Sequence, residues 1–155
     1  MSEVVPARDA SPSDPYVVEG WDSRAPRPGL SRLTLHRARL VAEALFCDED
    51  GPPPAARLDW LETDLGDFFG HVSRRARLIF WVCLTSTYVV GPLLLGRLAT
   101  FAGLSVADRV RAIERLERSP LSIALLGAKA ILSFVYFEHP DAAREIGWDQ
   151  ECKLP

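Results

Sequence analysis

The sequence has little cysteine, and its cysteines are not clustered. Cys47, Cys83 and Cys152 are far apart and form no CxxC pair. This distribution argues against a structural zinc site and against the disulfide-dense frameworks of small secreted proteins. We interpret the cysteines as three reduced thiols. A bridge such as Cys47–Cys152 stays open, because spacing alone does not decide pairing.

An excess of positive charge is also lacking. The 155 residues include 18 Lys and Arg against 21 Asp and Glu, for a formal net charge of −3. Nucleic-acid binding usually requires a basic face, so the sequence predicts no nucleic-acid partner. The length is that of one domain with enough chain to bury a core.

The familiar catalytic motifs are absent. The chain contains no glycine-rich phosphate loop, no GxGxxG, no HExxH and no G-x-S-x-G. The acids at 48–50 and at 59–67 lack an accompanying ExxH ligand pattern, so solvated surfaces are the better interpretation. Lys129 stands alone in an apolar segment, where a lysine usually reaches solvent or a carboxylate. The sequence therefore predicts no catalytic residue, no cofactor site and no metal site.

Residues 1–29 differ in composition from the rest of the chain. They contain five prolines and several acids but no apolar stretch typical of a secretory signal. We therefore expect a cytoplasmic protein, with export alongside a signal-bearing partner left open. The composition predicts an extended or disordered arm before a helical domain at 30–155. Tyr16 and Trp21 suggest that the arm orders on a partner, although a solvated tail is an equal alternative.

The remaining pattern predicts an all-α, single-domain bundle of five or six helices. Ser31 is a candidate N-cap for a helix that runs to Phe46, and a second helix is expected from about 55 to 69. Ser105, followed three residues later by Asp108, resembles a capping box and begins an amphipathic helix. In that helix Arg109 is assigned to the solvent side. No segment reads as a credible strand.

The segment at 78–96 carries no charge, so two interpretations compete for it. A helix of this length spans roughly 28 Å, close to the hydrocarbon thickness of a bilayer. However, Gly91-Pro92 interrupts the run, and Pro92 should kink or end the helix near Val90. We therefore favour a buried central helix, and a small membrane-associated helical protein anchored through 78–96 is the alternative.

The stretch from Ser119 to Trp148 dominates the C-terminal part. Ser119 is predicted as the N-cap and Pro120 as the first residue of an almost wholly apolar helix. Such a helix must be covered on all sides, by its own core, a partner or lipid. His139-Pro140 should end the segment, with His139 in a capping role, before a short helix that stops at Gly147.

The order of residues in this stretch resembles a known family. The resembling positions are Ser119-Pro120, Lys129-Ala130, Tyr136-Phe137, Pro140 and Ile146-Gly147-Trp148, preceded by a helix start from Leu104 to Glu114. This pattern is similar to the small, all-helical accessory subunits or fused domains of glucose–methanol–choline (GMC) flavoprotein oxidoreductases. Gluconate 2-dehydrogenase small subunits and the helical segments of long-chain alcohol oxidases are examples.

The resemblance implies a noncatalytic subunit that binds a separate, large GMC flavoprotein subunit. That large subunit would hold FAD and oxidise an alcohol, sugar or sterol, while this chain would bind no cofactor itself. We expect the partner interface to use eight residues: Tyr16, Trp21, Tyr136, Phe137, His139, Pro140, Ile146 and Trp148.

Overall fold

The protein is a bundle of six α-helices in a computed structural model that describes residues 29–148. The helices are α1 (Arg32–Leu45), α2 (Ala55–His71), α3 (Arg74–Leu94), α4 (Val106–Glu117), α5 (Ser122–Tyr136) and α6 (Pro140–Glu145). A short 3₁₀ turn at Phe101–Gly103 precedes α4. No strand occurs between residues 29 and 148, so the predicted all-α class is confirmed. The predicted arm, with Tyr16 and Trp21, lies almost wholly outside this range.

Serine side chains cap the N-termini of three of the helices. Ser31, Ser73 and Ser105 each accept a hydrogen bond from the backbone N–H three residues later, at 3.2, 3.3 and 3.2 Å. These bonds satisfy donors that a helix start leaves without an intrahelical partner. The predicted caps at Ser31 and Ser105 are therefore confirmed.

The predicted start of α5 at Ser119-Pro120 is wrong. The Ser119 hydroxyl donates to the Leu116 carbonyl at 2.8 Å, and its oxygen accepts from the Leu121 N–H at 3.2 Å. The Ser122 N–H donates to the Ser119 carbonyl, which closes a turn. Ser119 thus ends α4 rather than capping α5, and α5 begins two residues beyond Pro120.

The predicted end of α3 near Val90 is also wrong, and the alternative effect, a kink at Pro92, stays a prediction. The α3 helix continues past Val90 to Leu94, with Pro92 buried inside it. Pro92 removes one backbone donor, but it does so within the last turn, where few hydrogen bonds follow. Its carbonyl accepts from the N–H groups of Leu95 and Arg97, both at 3.1 Å, and these bonds close the end of the helix.

The core lies where α1 and α2 meet α3, α4 and α5. Its largest fully buried side chains include Phe69, Phe101, Leu61, Leu84 and Leu132. The α3 and α5 helices pack closely at Gly127. A Cβ placed on this glycine would lie only 2.8 Å from the Cys83 Sγ of α3.

The outer sides of α3 and α5 are not covered within residues 29–148. For α3 this corrects the favoured expectation of a buried central helix, whereas for α5 it leaves a partner or lipid as the expected cover. The start of α3 and the end of α5 both contact the end of α2, through the ring pairs Phe69–Phe80 and Phe68–Phe134. The two helices therefore run side by side in opposite directions. We call seven of the exposed apolar side chains on them the outer face: Leu78, Val82, Val89, Leu93, Ile123, Leu126 and Phe134.

Arg109 is buried, although the sequence pattern placed it on the solvent side of α4. Only 8% of the residue is exposed. Its guanidinium donates to the Phe101 carbonyl at 3.0 Å, to the Ala102 carbonyl at 3.1 Å and to the Glu43 Oε2 at 2.5 Å. Arg109 therefore ties together α1, the 3₁₀ turn and α4. The helical periodicity of α4 did not predict the burial of Arg109, because the carbonyls that accept its hydrogen bonds lie outside that helix.

Candidate docking surface

The end of α5 and the short α6 form the surface on which most of the predicted interface residues lie. We call the side chains Phe137, His139, Pro140, Ile146 and Trp148 the exit face. Ile146 is 59% exposed and Trp148 is 50% exposed. Phe137 and His139 are half-buried, and Pro140 is exposed.

Tyr136 lies behind this surface rather than on it. It is 4% exposed and belongs to the core. Its ring stacks on Phe46 at 3.9 Å between centroids, and Phe137 meets both rings edge-on. Such pairs add to the stability gained from burial. Tyr136 can therefore support the exit face but does not present its ring to solvent.

His139 and Pro140 set the direction in which the chain leaves α5. The His139 Nδ1 accepts the Asp141 N–H at 3.2 Å, which confirms the predicted capping role. Its ring meets Trp60 of α2 edge-on, at 5.0 Å between centroids. Pro140 occupies the first helical position of α6, where its missing N–H leaves no bond unmade.

Gly147 ends α6 and fixes the position of Trp148. Gly147 has a φ of 76°, in the left-handed region that favours glycine. Its N–H donates to the Arg144 carbonyl at 3.0 Å, and the Trp148 N–H donates to the Ala143 carbonyl at 2.9 Å. These two bonds form a Schellman motif. Because Ala143 is buried, the backbone of Trp148 is tied to the bundle.

We expect Gly147→Ala to lower the free energy of unfolding by about 1–2 kcal/mol, because a Cβ is strained in the left-handed region. Chemical denaturation measures the change. Gly66→Ala is the matched control: Gly66 is helical and an added Cβ would meet only a Leu35 methyl at 3.7 Å, so alanine should stabilise α2. Equal effects at both positions would contradict the role assigned to Gly147.

Arg57 joins α2 to the end of α5 and to α6. Its Nη1 donates to the Tyr136 hydroxyl at 2.9 Å and to the Glu145 Oε2 at 2.8 Å, while its Nη2 donates to the Glu145 Oε1 at 2.7 Å. Two parallel bonds of this kind fix the geometry of a guanidinium–carboxylate pair. The network holds α6 in place beneath Ile146.

The Arg57–Glu145 pair makes the free energy of unfolding depend on pH in the acidic range. The hydrogen bond from Arg57 is the main cause that holds the pKa of Glu145 below its usual 4.5. The contribution is therefore present above pH 4.5 and is lost as the pH falls through the lower, folded-state pKa. Glu145→Gln should lower the melting temperature at neutral pH, and the difference from wild type should vanish in acid. A difference that stays constant with pH would contradict this. Glu114→Gln on α4 is the control.

A surface depression of about 520 Å³ lies beside the exit face. Aromatic rings, prolines and the Arg57–Glu145 pair line it. The exposed acids Asp48 and Asp50 stand at its edge. Its lining residues include Phe46, Pro52, Pro53, Tyr136, Phe137 and Ile146. A depression of this kind can receive a side chain of a partner next to Ile146.

Two other charged residues singled out from the sequence, Lys129 and Asp59, form ion pairs. The Lys129 Nζ donates to the Glu117 Oε1 at 2.9 Å, which confirms the expectation that this lysine meets a carboxylate. Asp59 bonds Arg39. Partial desolvation, and then the nearby Asp64 carboxylate, raise the pKa of Glu138. Among residues 29–148, no three acidic, cysteine or histidine side chains are grouped as metal ligands would be.

The cysteines give no sign of a bridge within the same range. Cys47 and Cys83 are half-buried free thiols, and Cys152 lies outside the described residues.

Sequence reasoning missed Arg57, Phe46 and Glu145 as components of this surface. The Arg57–Glu145 pair joins positions 88 residues apart, and such a distance leaves no periodic signal.

Comparison with known proteins identifies no relative. No family model, no curated protein and no solved structure matches the chain.

Proposed function

We propose that the chain is a noncatalytic small subunit that docks on the large, FAD-bearing subunit of a GMC-type oxidoreductase. The partner would oxidise an alcohol, sugar or sterol hydroxyl. The observation that carries the proposal is the exit face, where Ile146 and Trp148 are half or more exposed on backbone held by the Schellman motif. The family resemblance supplies the kind of partner.

The chemistry of the exit face suits a protein interface. Tryptophan is enriched among the residues that contribute most to binding, especially when it enters a desolvated pocket. A surface held in its bound conformation loses little conformational entropy on association. The hydrogen bonds of Gly147, the cap at His139 and the Arg57–Glu145 pair all reduce the freedom of this segment.

The resembling residues now have physical roles that fit this proposal. The buried Tyr136 meets the ring of Phe137 edge-on and so supports it, Pro140 begins α6, and Gly147 ends it. Ile146 and Trp148 flank that glycine and point their apolar atoms at solvent. In this proposal the resembling residues keep the exit face in the shape that the partner binds.

In this proposal FAD belongs to the large subunit, and this chain contributes stability and shape. A small subunit that binds only the folded state of the large subunit stabilises that state by mass action. The gain is about 2.7 kcal/mol when the concentration of the small subunit is a hundred times the dissociation constant. The large subunit should therefore lose flavin or precipitate sooner when expressed without this chain.

Purification of the tagged full chain from its native cells tests the proposal. We expect a larger protein to accompany it in constant ratio, with a flavin absorbance spectrum and with alcohol, sugar or sterol oxidation that the small chain lacks alone. Recovery of the chain by itself, or with partners that carry no flavin, would refute the proposed function.

A further inference from the structure

The outer face is a second apolar surface, and none of its residues belongs to the exit face. Several of its side chains are more than half exposed, among them Leu78 at 60%, Ile123 at 80% and Leu126 at 63%. The contiguous patches on monomeric soluble proteins are usually small, and larger ones mark contacts with proteins or membranes. The outer face therefore needs an occupant.

The charge along the α3 part of this face has one sign, whereas beside Ile123 and Leu126 of α5 Glu117 and Lys129 form a pair. From Phe68 to Ala107 the chain contains no Asp or Glu, whereas Arg74, Arg75, Arg77 and Arg97 fall in this interval. The net charge of the whole protein is nevertheless −3. Its acids are thus excluded from the segment that contains α3. Because Arg97 pairs with Asp108 beyond the end of α3, the positive charge left unpaired within residues 29–148, that of Arg74 and Arg75, lies at the start of this helix, and the occupant should be negatively charged there.

The arginines continue the apolar stripe of α3. Arg74 is one turn before Leu78, and Arg75 is two turns before Val82, so both begin the exposed side. Both are exposed, and neither makes an ion pair with another residue of 29–148. Positive charge in the first turn opposes the helix dipole and no acid is present there to offset it. An external anion would relieve that cost.

A transmembrane orientation of α3 conflicts with the core. By length and composition α3 is the one helix in residues 29–148 that could cross a membrane. Its inner side, however, supplies Phe80, Leu84 and Gly91 to the bundle, and 28% of its most apolar window is buried. Crossing a bilayer would require these residues to leave the core, whereas lying flat on its surface would not.

We propose that the outer face lies on an anionic lipid bilayer, with α3 and α5 parallel to the membrane plane. The apolar side chains enter the boundary between headgroups and acyl chains, as those of interfacial helices do. Arg74 and Arg75 contact lipid phosphates. Trp81, 44% exposed on the flank of α3, has the amphipathic ring that is enriched at this depth.

Vesicle co-sedimentation of the full chain tests this inference. The probes are vesicles of phosphatidylcholine alone and of phosphatidylcholine mixed with phosphatidylglycerol. We expect binding to the mixed vesicles, and at least tenfold weaker binding to the neutral ones or at high salt, because arginines near an anionic surface are attracted to it and salt screens that attraction. Absence of binding to the mixed vesicles would overturn the proposal.

Two variants locate the contact. Val82→Asp with Leu126→Asp places charge in the apolar part, and Arg74→Glu with Arg75→Glu reverses the basic edge. Each pair should weaken binding at least tenfold, while Arg111→Glu with Arg144→Glu, an equal charge change on α4 and α6, should have a smaller effect. If the aspartate pair binds as wild type does, the attraction is electrostatic alone and the proposal fails.

Light scattering and co-purification separate the other possible occupants. A wild-type dimer that the Val82→Asp and Leu126→Asp variant converts to a monomer would assign the outer face to a second copy. Loss of the flavoprotein from this variant would assign the face to the large subunit. Either result overturns the lipid proposal but leaves the proposed function standing, since that function is tested at the exit face.

Discussion

Replacing Arg109 by alanine is expected to lower the free energy of unfolding by about 3 kcal/mol. Removing one partner of a buried ion pair leaves the other charge uncompensated, which typically costs 3–5 kcal/mol. We take the lower value because the Glu43 side chain is 26% exposed and so keeps some hydration. The change also leaves the Phe101 and Ala102 carbonyls without their guanidinium donor.

Chemical denaturation of the purified chain measures this loss. Arg111→Ala on the same helix is the control, because the Arg111 side chain is 63% exposed and its pair with Asp108 should contribute less than about 1 kcal/mol. A double-mutant cycle with Glu43→Gln should show strong coupling to Arg109. Similar losses for Arg109→Ala and Arg111→Ala would refute the bridging role of Arg109.

The second large effect concerns the exit face. Ile146→Asp combined with Trp148→Ala should weaken binding to the flavin-bearing partner by about a hundredfold or more. Residues at the centre of an interface contribute about 2 kcal/mol or more when truncated, and each 1.4 kcal/mol is a tenfold change. Both side chains are exposed, so the fold itself should lose little stability.

The control for this double variant is Leu33→Asp. Leu33 is 58% exposed on α1, so it matches Ile146 in character and exposure. Circular dichroism and thermal unfolding should be nearly equal for the two variants and wild type. Equal partner binding by the exit-face variant and Leu33→Asp would remove the exit face from the interface.

Helix starts were predictable from sequence where the determinant is local. Ser31 and Ser105 bond backbone groups only three residues away, so their meaning is contained in a short stretch. The same is true of Gly147, which ends α6 by its own conformation. Ser119 was misassigned because a serine at a helix boundary can close the preceding helix as well as open the next one.

The long-range features were not predictable in the same way. Arg109 and Arg57 each meet partners on other helices, so periodicity within one helix could not locate them. The exposure of α3 and α5 depends on how many helices are available to cover them. Apolar composition indicated that both needed cover, but only the packing shows that the described helices leave one side of each open.

The most direct test of the proposed function is the ratio of flavin to small chain after purification of the tagged protein. It should be compared for the wild type, the Ile146→Asp with Trp148→Ala variant, and the Leu33→Asp control. We predict a constant ratio for wild type and Leu33→Asp and almost no flavin with the exit-face variant. Flavin retained by the exit-face variant, or missing from the wild type, would contradict docking of this chain on a flavoprotein through the exit face.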